Sequence, residues 1–395
     1  MKLELLAPAG NFAMLKAAVN AGADAVYFGI KGLNMRESSK NFTISDLKKI
    51  GQEPVKTYLA LNTVVYDEEL PKIKKVIQAA KKNKIDAIIC WDLAVVKLAK
   101  KAGMEVHLST QASASNSEAI TTYQKLGIKR FILARELSLN QIKKIKKNTN
   151  AEIETFVHGA MCMAVSGRCF LSEDMFGRSA NRGKCVQPCR RSYIVKDSEN
   201  DKSLQVKNHY IFSAKDLCTL PFIDKLIKAK ISSFKIEGRS KTPEYVDTVV
   251  RVYRKAIDAY FETKLTDDLK KQLMEELKQS YNRGFSQGFY LGTPTTNDWS
   301  KTQGNVSKTI KKEIGKVINY YKKHNVAVIK ILSSEIKLDD NLMFQGNKTG
   351  NVNLKISSMQ IEHKEVKKAK KGDLVTIKTK KVIRENDKVF LIRNK

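Results

Sequence analysis

The chain of 395 residues has no run approaching the ~18 consecutive apolar residues of an ordinary membrane-spanning helix, so no membrane partner is expected. Its opening, "MKLELLAPAGNF", has one lysine, no extended apolar stretch and no small-residue cleavage site. It reads as a core strand rather than an export signal, and a cytoplasmic location is the expectation. No G-x-G-x-x-G follows that strand, so the fingerprint of a dinucleotide-binding fold is missing. No local serine-hydrolase signature is expected either, although a triad is assembled in space rather than along the chain. The cysteines lack the paired C-x2-C knuckles of a zinc ribbon.

Cysteine is nonetheless concentrated in one place. Of the six, Cys162, Cys169, Cys185, Cys189 and Cys218 fall between positions 162 and 218. Cys90, in "DAIICWD", sits in an apolar strand-like run and reads as a buried, inert thiol. In a reducing compartment, clustered thiols are more often metal ligands or catalytic groups than disulfides. The spacings are C-x6-C, C-x15-C, C-x3-C and C-x28-C. Five thiols exceed what a structural zinc needs, and four could hold an iron–sulfur cluster. Spacing alone leaves a cluster, a zinc site and no specific role open.

The charge is equally uneven. The formal net charge is +31, from 72 basic and 41 acidic side chains. One explanation is a coding bias that inflates lysine on a solvated surface; the other is a polyanionic partner, nucleic acid above all. Residues 301–395 carry 23 Lys and Arg against 9 Asp and Glu, a charge of +14 that leaves +17 for the first 300. The last segment is therefore more than twice as basic per residue as the rest.

One local pattern recurs: "AGADAVYFG", "NKIDAIICWD", "LGIKRFILAR" and "AKISSFKIEG" each carry the chain from an amphipathic helix through a short turn into an apolar strand. Such alternation predicts a parallel sheet. Eight strands are expected, near 3–7, 25–29, 55–63, 86–91, 104–109, 130–134, 153–157 and 232–236. Eight β/α units predict an α/β protein of the TIM-type (β/α)8 barrel class over residues 1–295, with an open doubly wound sheet as the alternative. About 75 residues separate strands seven and eight, and this insertion, 158–218, carries all five clustered cysteines. Barrel loops after the strands form the active-site face, so the insertion is expected to open there. Residues 296–312 read as a linker, and short alternating strands over 313–395 predict a small basic β-barrel.

Polar groups gather where the predicted strands end. "HLSTQAS" offers His107, Ser109, Thr110 and Gln111, with helix capping or a core histidine as the alternative roles. "LARELSL" offers Arg135 and Glu136, and "FKIEGRSK" offers Lys235, Glu237 and Arg239. Arg135, Lys235 and Arg239 at one mouth could hold a carboxylate or phosphate, or could form an ion-pair network with their neighbours. "ALNTVVYDEEL" adds Asn62, Thr63, Tyr66, Asp67 and Glu68, and His158 stands just before the cysteines.

In order along the chain, "LLAPAGNFAMLKAAVNAGADAVYFG", "ALNTVVYDEEL", "HLSTQAS", "LARELSL", "HGAMCMAVSGRC", "SAKDLC" and "FKIEGRSKTPEYV" resemble the collagenase-like peptidases, the thirty-second family of the unknown-mechanism, or U, class. The resemblance covers most of residues 1–295 and extends to the C-terminal β-domain. It implies an iron–sulfur protein that supports hydroxylation of RNA or of a quinone precursor, the peptidase name being historical. Members of this size with a small β-domain are similar to proteins that make 5-hydroxyuridine at the tRNA wobble position with a 4Fe–4S cluster and prephenate. Longer relatives hydroxylate a ribosomal RNA cytidine. The basic tail favours RNA, with tRNA as the expected partner, over a quinone. By the same resemblance Cys162, Cys169 and Cys185 match three cluster ligands, and the fourth is Cys218, or Cys189 where relatives use a C-x3-C pair. Arg135, Lys235, Glu237, Arg239, His107 and Gln111 are then the candidate catalytic groups, the cations anchoring a small carboxylate metabolite. A metal- or thiol-dependent peptidase, and a noncatalytic RNA-binding protein with a structural metal, are the rival readings.

Overall fold

The computed structural model describes residues 3–194 and 209–395. Along the chain come β1 (Glu4–Pro8), β2 (Ala25–Gly29), β3 (Lys56–Ala60), β4 (Ala87–Cys90), β5 (Glu105–Leu108), β6 (Arg130–Ile132) and β7 (Glu152–Ala160). Then come β8 (Asp216–Cys218) within the insertion and β9 (Ser233–Ile236). Strands β1 to β7 pair in parallel in sequence order, and β9 pairs in parallel with both β7 and β1. That double pairing closes an eight-stranded barrel. The doubly wound alternative is thereby excluded, because an open sheet leaves two edges.

The local reasons are visible in β1 and its helix. Every residue of Glu4–Pro8 is buried, as in a parallel strand covered on both faces. The Asn11 side chain caps the helix Phe12–Asn20 by accepting from the Met14 amide at 3.0 Å. The helix stops at Ala21, and the chain turns through Gly22 into β2.

Strand β7 runs to Ala160, three residues past its expected end, because its last residues also pair antiparallel with β8. His158 then faces Cys218 and Gly159 faces Leu217. Gly159 has φ +107°, and a Cβ there would lie 2.4 Å from the Glu237 carbonyl oxygen. Only glycine lets the exits of β7 and β9 approach so closely.

The segment expected as a linker lies along the barrel. Trp299 bridges to Ala214, and the Val306 amide donates to Asn282 O at 2.9 Å. The C-terminal region starts with the strand Thr309–Tyr321, earlier than position 313. It is an eight-stranded antiparallel sheet with a separate two-stranded ribbon around its own apolar core. This is the expected small C-terminal β-domain; among the described residues no pairing joins its two edge strands, Gly350–Lys355 and Lys364–Glu365. Gln345 and Asn351 of this sheet hydrogen-bond Glu244 and Asp247 on the helix Pro243–Phe261, which docks it on the barrel's side. Among the described residues no helix is long and apolar enough to cross a membrane.

Replacing Gly159 by Ala is expected to cost about 1–3 kcal/mol in backbone strain alone, with more from the contact with Glu237. Scanning calorimetry should show a lower melting temperature; an unchanged one would contradict the close approach described.

Candidate active site

The barrel's axis is polar below its mouth. Arg130 Nη1 donates to Glu4 Oε1 at 2.5 Å and stands 3.7 Å from Glu154 Oε2. Tyr58 OH donates to Glu4 Oε2 at 2.7 Å, and Lys235 Nζ to Glu154 Oε1 at 2.9 Å. Burial raises the Glu154 pKa, but Lys235 and Arg130 outweigh it and hold the carboxyl ionised. Positive and negative charge thus alternate along a low-dielectric interior, which is how a buried charge remains tolerable.

The next carboxylate up is Glu237. Arg36 Nε donates to its Oε1 at 3.3 Å, and Arg135 Nη2 stands 3.8 Å from its Oε2. Arg135 also donates from Nη1 to Ala160 O at 2.9 Å, and its guanidinium lies 3.7 Å from the Phe156 ring centre. Burial pushes the Glu237 pKa up, and the field of Arg36 and Arg135 brings it below the usual range. Above Glu237 stands Arg239, 4% exposed, with Nη1 buried and without a hydrogen-bond partner. Burial brings its pKa down to about 10, so it remains charged at neutral pH.

These groups line one cavity of about 660 Å³ at the strand exits. Among the described residues its lining holds seven Lys and Arg side chains and one carboxylate, so it attracts anions. Asn62, Ser109 and Gln111 form a neutral cluster on the opposite wall. Ser109 Oγ donates to Gln111 Oε1 at 2.5 Å, and Asn62 Nδ2 donates to the same oxygen at 3.3 Å.

The insertion roofs this cavity and brings Cys162, Cys169, Cys185 and Cys189 onto its wall. All four are free thiols. Arg36, Arg135 and Arg190 lie within electrostatic reach of Cys162. The Gln187 amide donates to Cys185 Sγ at 3.3 Å. Burial raises the Cys189 pKa against the opposing field of Arg190. Side chains anchor the roof: Arg190 donates to Met161 O at 2.6 Å and to Ala214 O at 2.5 Å, and Arg182 is bonded to Val64 O and Glu69. The Gly183 carbonyl accepts from the Glu37 amide at 3.0 Å, and a Cβ at Gly183 would collide with Asn34 O.

Four sulfur donors without hard oxygen ligands suit zinc or an iron–sulfur cluster rather than magnesium or calcium. The donor set therefore fits the group expected from the sequence. Among the described residues, no three His, Cys, Asp or Glu side chains stand close enough to grip a metal ion in this conformation.

Other expected site residues stand elsewhere. Cys218, the expected fourth ligand, is not on the cavity wall. Its strand pairing turns it toward Tyr253 OH at 3.8 Å and Met274 Sδ at 3.7 Å, and burial pushes its pKa up to about 11. Its place beside the other three thiols is taken by Cys189. His107 lies below the mouth, Nε2 2.9 Å from Glu105 Oε1 and its ring centre 4.6 Å from that of Tyr58. His158 packs among Tyr253, Tyr245 and Phe285 and does not line the cavity. Glu136, Asp67 and Glu68 are exposed, because β3 and β6 end earlier than expected and these residues follow in surface turns. Thr63 is buried but does not line the cavity. The letters G-x-S-x-G do occur, at Gly284–Gly288, contrary to expectation. Ser286 lies on the short strand Phe285–Ser286 beside β8, and no helix follows to make a nucleophile elbow.

Sequence reading missed Arg36, Arg190, Arg283 and Lys241 on the cavity wall. Lys241 had a signal: it continues the every-second-residue series Lys235, Glu237, Arg239. Its Nζ lies 3.3 Å from the Tyr281 ring centre. Burial, with Arg283 and Arg190, brings its pKa down to about 7, against the pull of Asp216.

The description of peptidase family U32 matches residues 10–300. The chain is 42% identical to a protein of Porphyromonas gingivalis named collagenase, over 98% of this chain and 97% of that one. It is 38% identical to a tRNA hydroxylation protein of Bacillus subtilis, over 81% of this chain and 78% of that one. It is 37% identical to a 23S ribosomal RNA 5-hydroxycytidine synthase of Escherichia coli, over 66% of this chain and 40% of that one.

His158 generates a pH test. Burial, with Lys241 adding, brings its pKa down to about 3 from an ordinary 6.5. Below pH 6.5 the unfolded chain gains a proton that the folded chain takes up only near pH 3, so this group makes stability fall as pH drops between those values. Between pH 7 and pH 5 the loss should be about 2 kcal/mol. Urea unfolding at both values should show a smaller loss in His158→Gln; an equal loss would contradict a neutral buried ring.

Proposed function

The chain belongs to peptidase family U32, and from that premise we propose that it is an RNA hydroxylase that forms 5-hydroxyuridine at the tRNA wobble position. In this reading Cys162, Cys169, Cys185 and Cys189 hold a 4Fe–4S cluster, and prephenate is the small carboxylate in the cavity. One observation carries the reading: four free thiols and the buried Arg239 line the same cation-rich cavity. The names of the Bacillus and Escherichia relatives support hydroxylation of RNA. Coverage supports tRNA over ribosomal RNA, since the ribosomal relative is matched over only 40% of its length.

Bound at the thiols, the cluster supplies one-electron chemistry. Arg239, on the cavity wall, supplies the guanidinium that binds the carboxylate of the metabolite. Lys235 adds positive charge from below, fixed by Glu154. Arg135 and Arg36 are committed to Glu237 and shape the wall rather than bind. Asn62, Ser109 and Gln111 orient the ligand's hydroxyl or the base edge by neutral hydrogen bonds. Lys241, balanced near neutrality, holds or releases a proton at Nζ. The C-terminal sheet, in the most basic part of the chain, contacts RNA backbone, so that a single base enters the barrel.

The collagenase name of the Porphyromonas relative favours peptide hydrolysis as the second reading. Against it, the described cavity wall has no histidine, and its one carboxylate is tied to two arginines. A thiol or metal peptidase needs a free base there.

Deleting the gene should remove 5-hydroxyuridine-derived nucleosides from tRNA and leave ribosomal RNA unchanged, as read by nucleoside mass spectrometry. Complementation with Arg239→Gln should restore the modification about 10–100-fold more slowly than wild type, the loss of one charge-assisted hydrogen bond. A nucleoside profile unchanged by the deletion would end the hydroxylase reading.

A further inference from the structure

The rim of the cavity, outside the groups that face inward, carries aromatic rings in water. Phe170 is 75% exposed and Tyr66 54%, and Trp91 is half-buried. Two of these rings have a guanidinium against them. Arg182 lies 4.7 Å from the Tyr66 ring centre and Arg168 5.9 Å from that of Trp91. Hydrogen bonds bring the set together. Asn181 accepts from the Cys169 amide at 3.2 Å through its side chain and from the Val64 amide at 3.3 Å through its carbonyl. Arg168 and Phe170 flank Cys169, and Arg182 bonds Val64 O two residues before Tyr66. Trp91 Nε1 donates to the carbonyl of Asn62, whose residue lines the cavity, so the rim is continuous with the site.

We propose that Tyr66, Trp91 and Phe170, with Arg168 and Arg182, form a stacking platform for the single-stranded RNA nucleotides that flank the target base. The proposal rests on the RNA reading above and specifies where that RNA lies. Exposed rings alone would suit any apolar partner, but here two of them are paired with cations on a chain of net charge +31. That combination recognises a partner offering flat π faces and negative charge together, as an unpaired nucleotide does. A duplex buries its base faces in its own stack and has none to offer. The Arg182 guanidinium is also held by Glu69, which fixes its position beneath the Tyr66 ring.

The test is fluorescence anisotropy of the full chain with a labelled single-stranded uridine-rich oligoribonucleotide and with the same sequence closed into a duplex. Phe170→Ala and Tyr66→Ala should each weaken single-strand binding about 5- to 100-fold. Neither should alter duplex binding or the slope of affinity against salt, because no charge is removed. Tyr66→Phe, which keeps the ring, should restore single-strand binding. If the wild type binds single strands and both alanine variants bind them equally well, the platform is wrong while the RNA reading stands. If the wild type binds neither RNA, both fall. If the alanine variants change only the sedimentation of the chain, the rim is a contact between copies and the platform is overturned.

Discussion

Glu237, clasped by Arg36 and Arg135, is the contact on which the mouth of the barrel depends. It joins the β9 exit to the loop after β2 and to the β6 exit, and through Arg135 it reaches Ala160, where the cysteine-bearing insertion begins. Below it, Glu4, Arg130, Glu154 and Lys235 alternate in sign along the axis. Removing one member of such a buried pair leaves a bare charge and typically costs about 3–5 kcal/mol. The series ends at Arg239, which forms no ion pair among the described residues. The same compensation that stabilises the interior therefore leaves the top of the barrel in want of an anion.

The eight parallel strands were legible because buried strands read as continuous apolar runs, each introduced by a helix and a turn. The polar axis was not legible. Glu4, Arg130 and Glu154 sit singly in those runs, and only barrel closure brings them into one column. At the site, Arg135, Glu237, Arg239 and Gln111 could be placed from their positions just after strands, and Lys235 from the end of its strand. Lys241 was within reach of the same alternation. Arg36, Arg190 and Arg283 were not, since they arrive from loops whose course no local pattern gives.

The choice between Cys189 and Cys218 shows the limit most plainly. From the sequence Cys218 is the expected fourth ligand, with Cys189 as the alternative. The difference is β8, three residues long, which pairs Cys218 across from His158 and buries its sulfur beside Tyr253. So short a strand within a long insertion carries no periodicity to read. Cys189, on a 3-10 turn that starts at Pro188, stays on the cavity wall.

The most direct test of four thiols acting as one site is to purify the chain anaerobically and measure iron and acid-labile sulfide per chain in wild type, Cys189→Ser and Cys218→Ser. The account predicts a coloured wild type with about four irons, loss of colour and iron in Cys189→Ser, and wild-type loading in Cys218→Ser. A colourless wild type with stoichiometric zinc, or iron lost from Cys218→Ser and kept in Cys189→Ser, would contradict it.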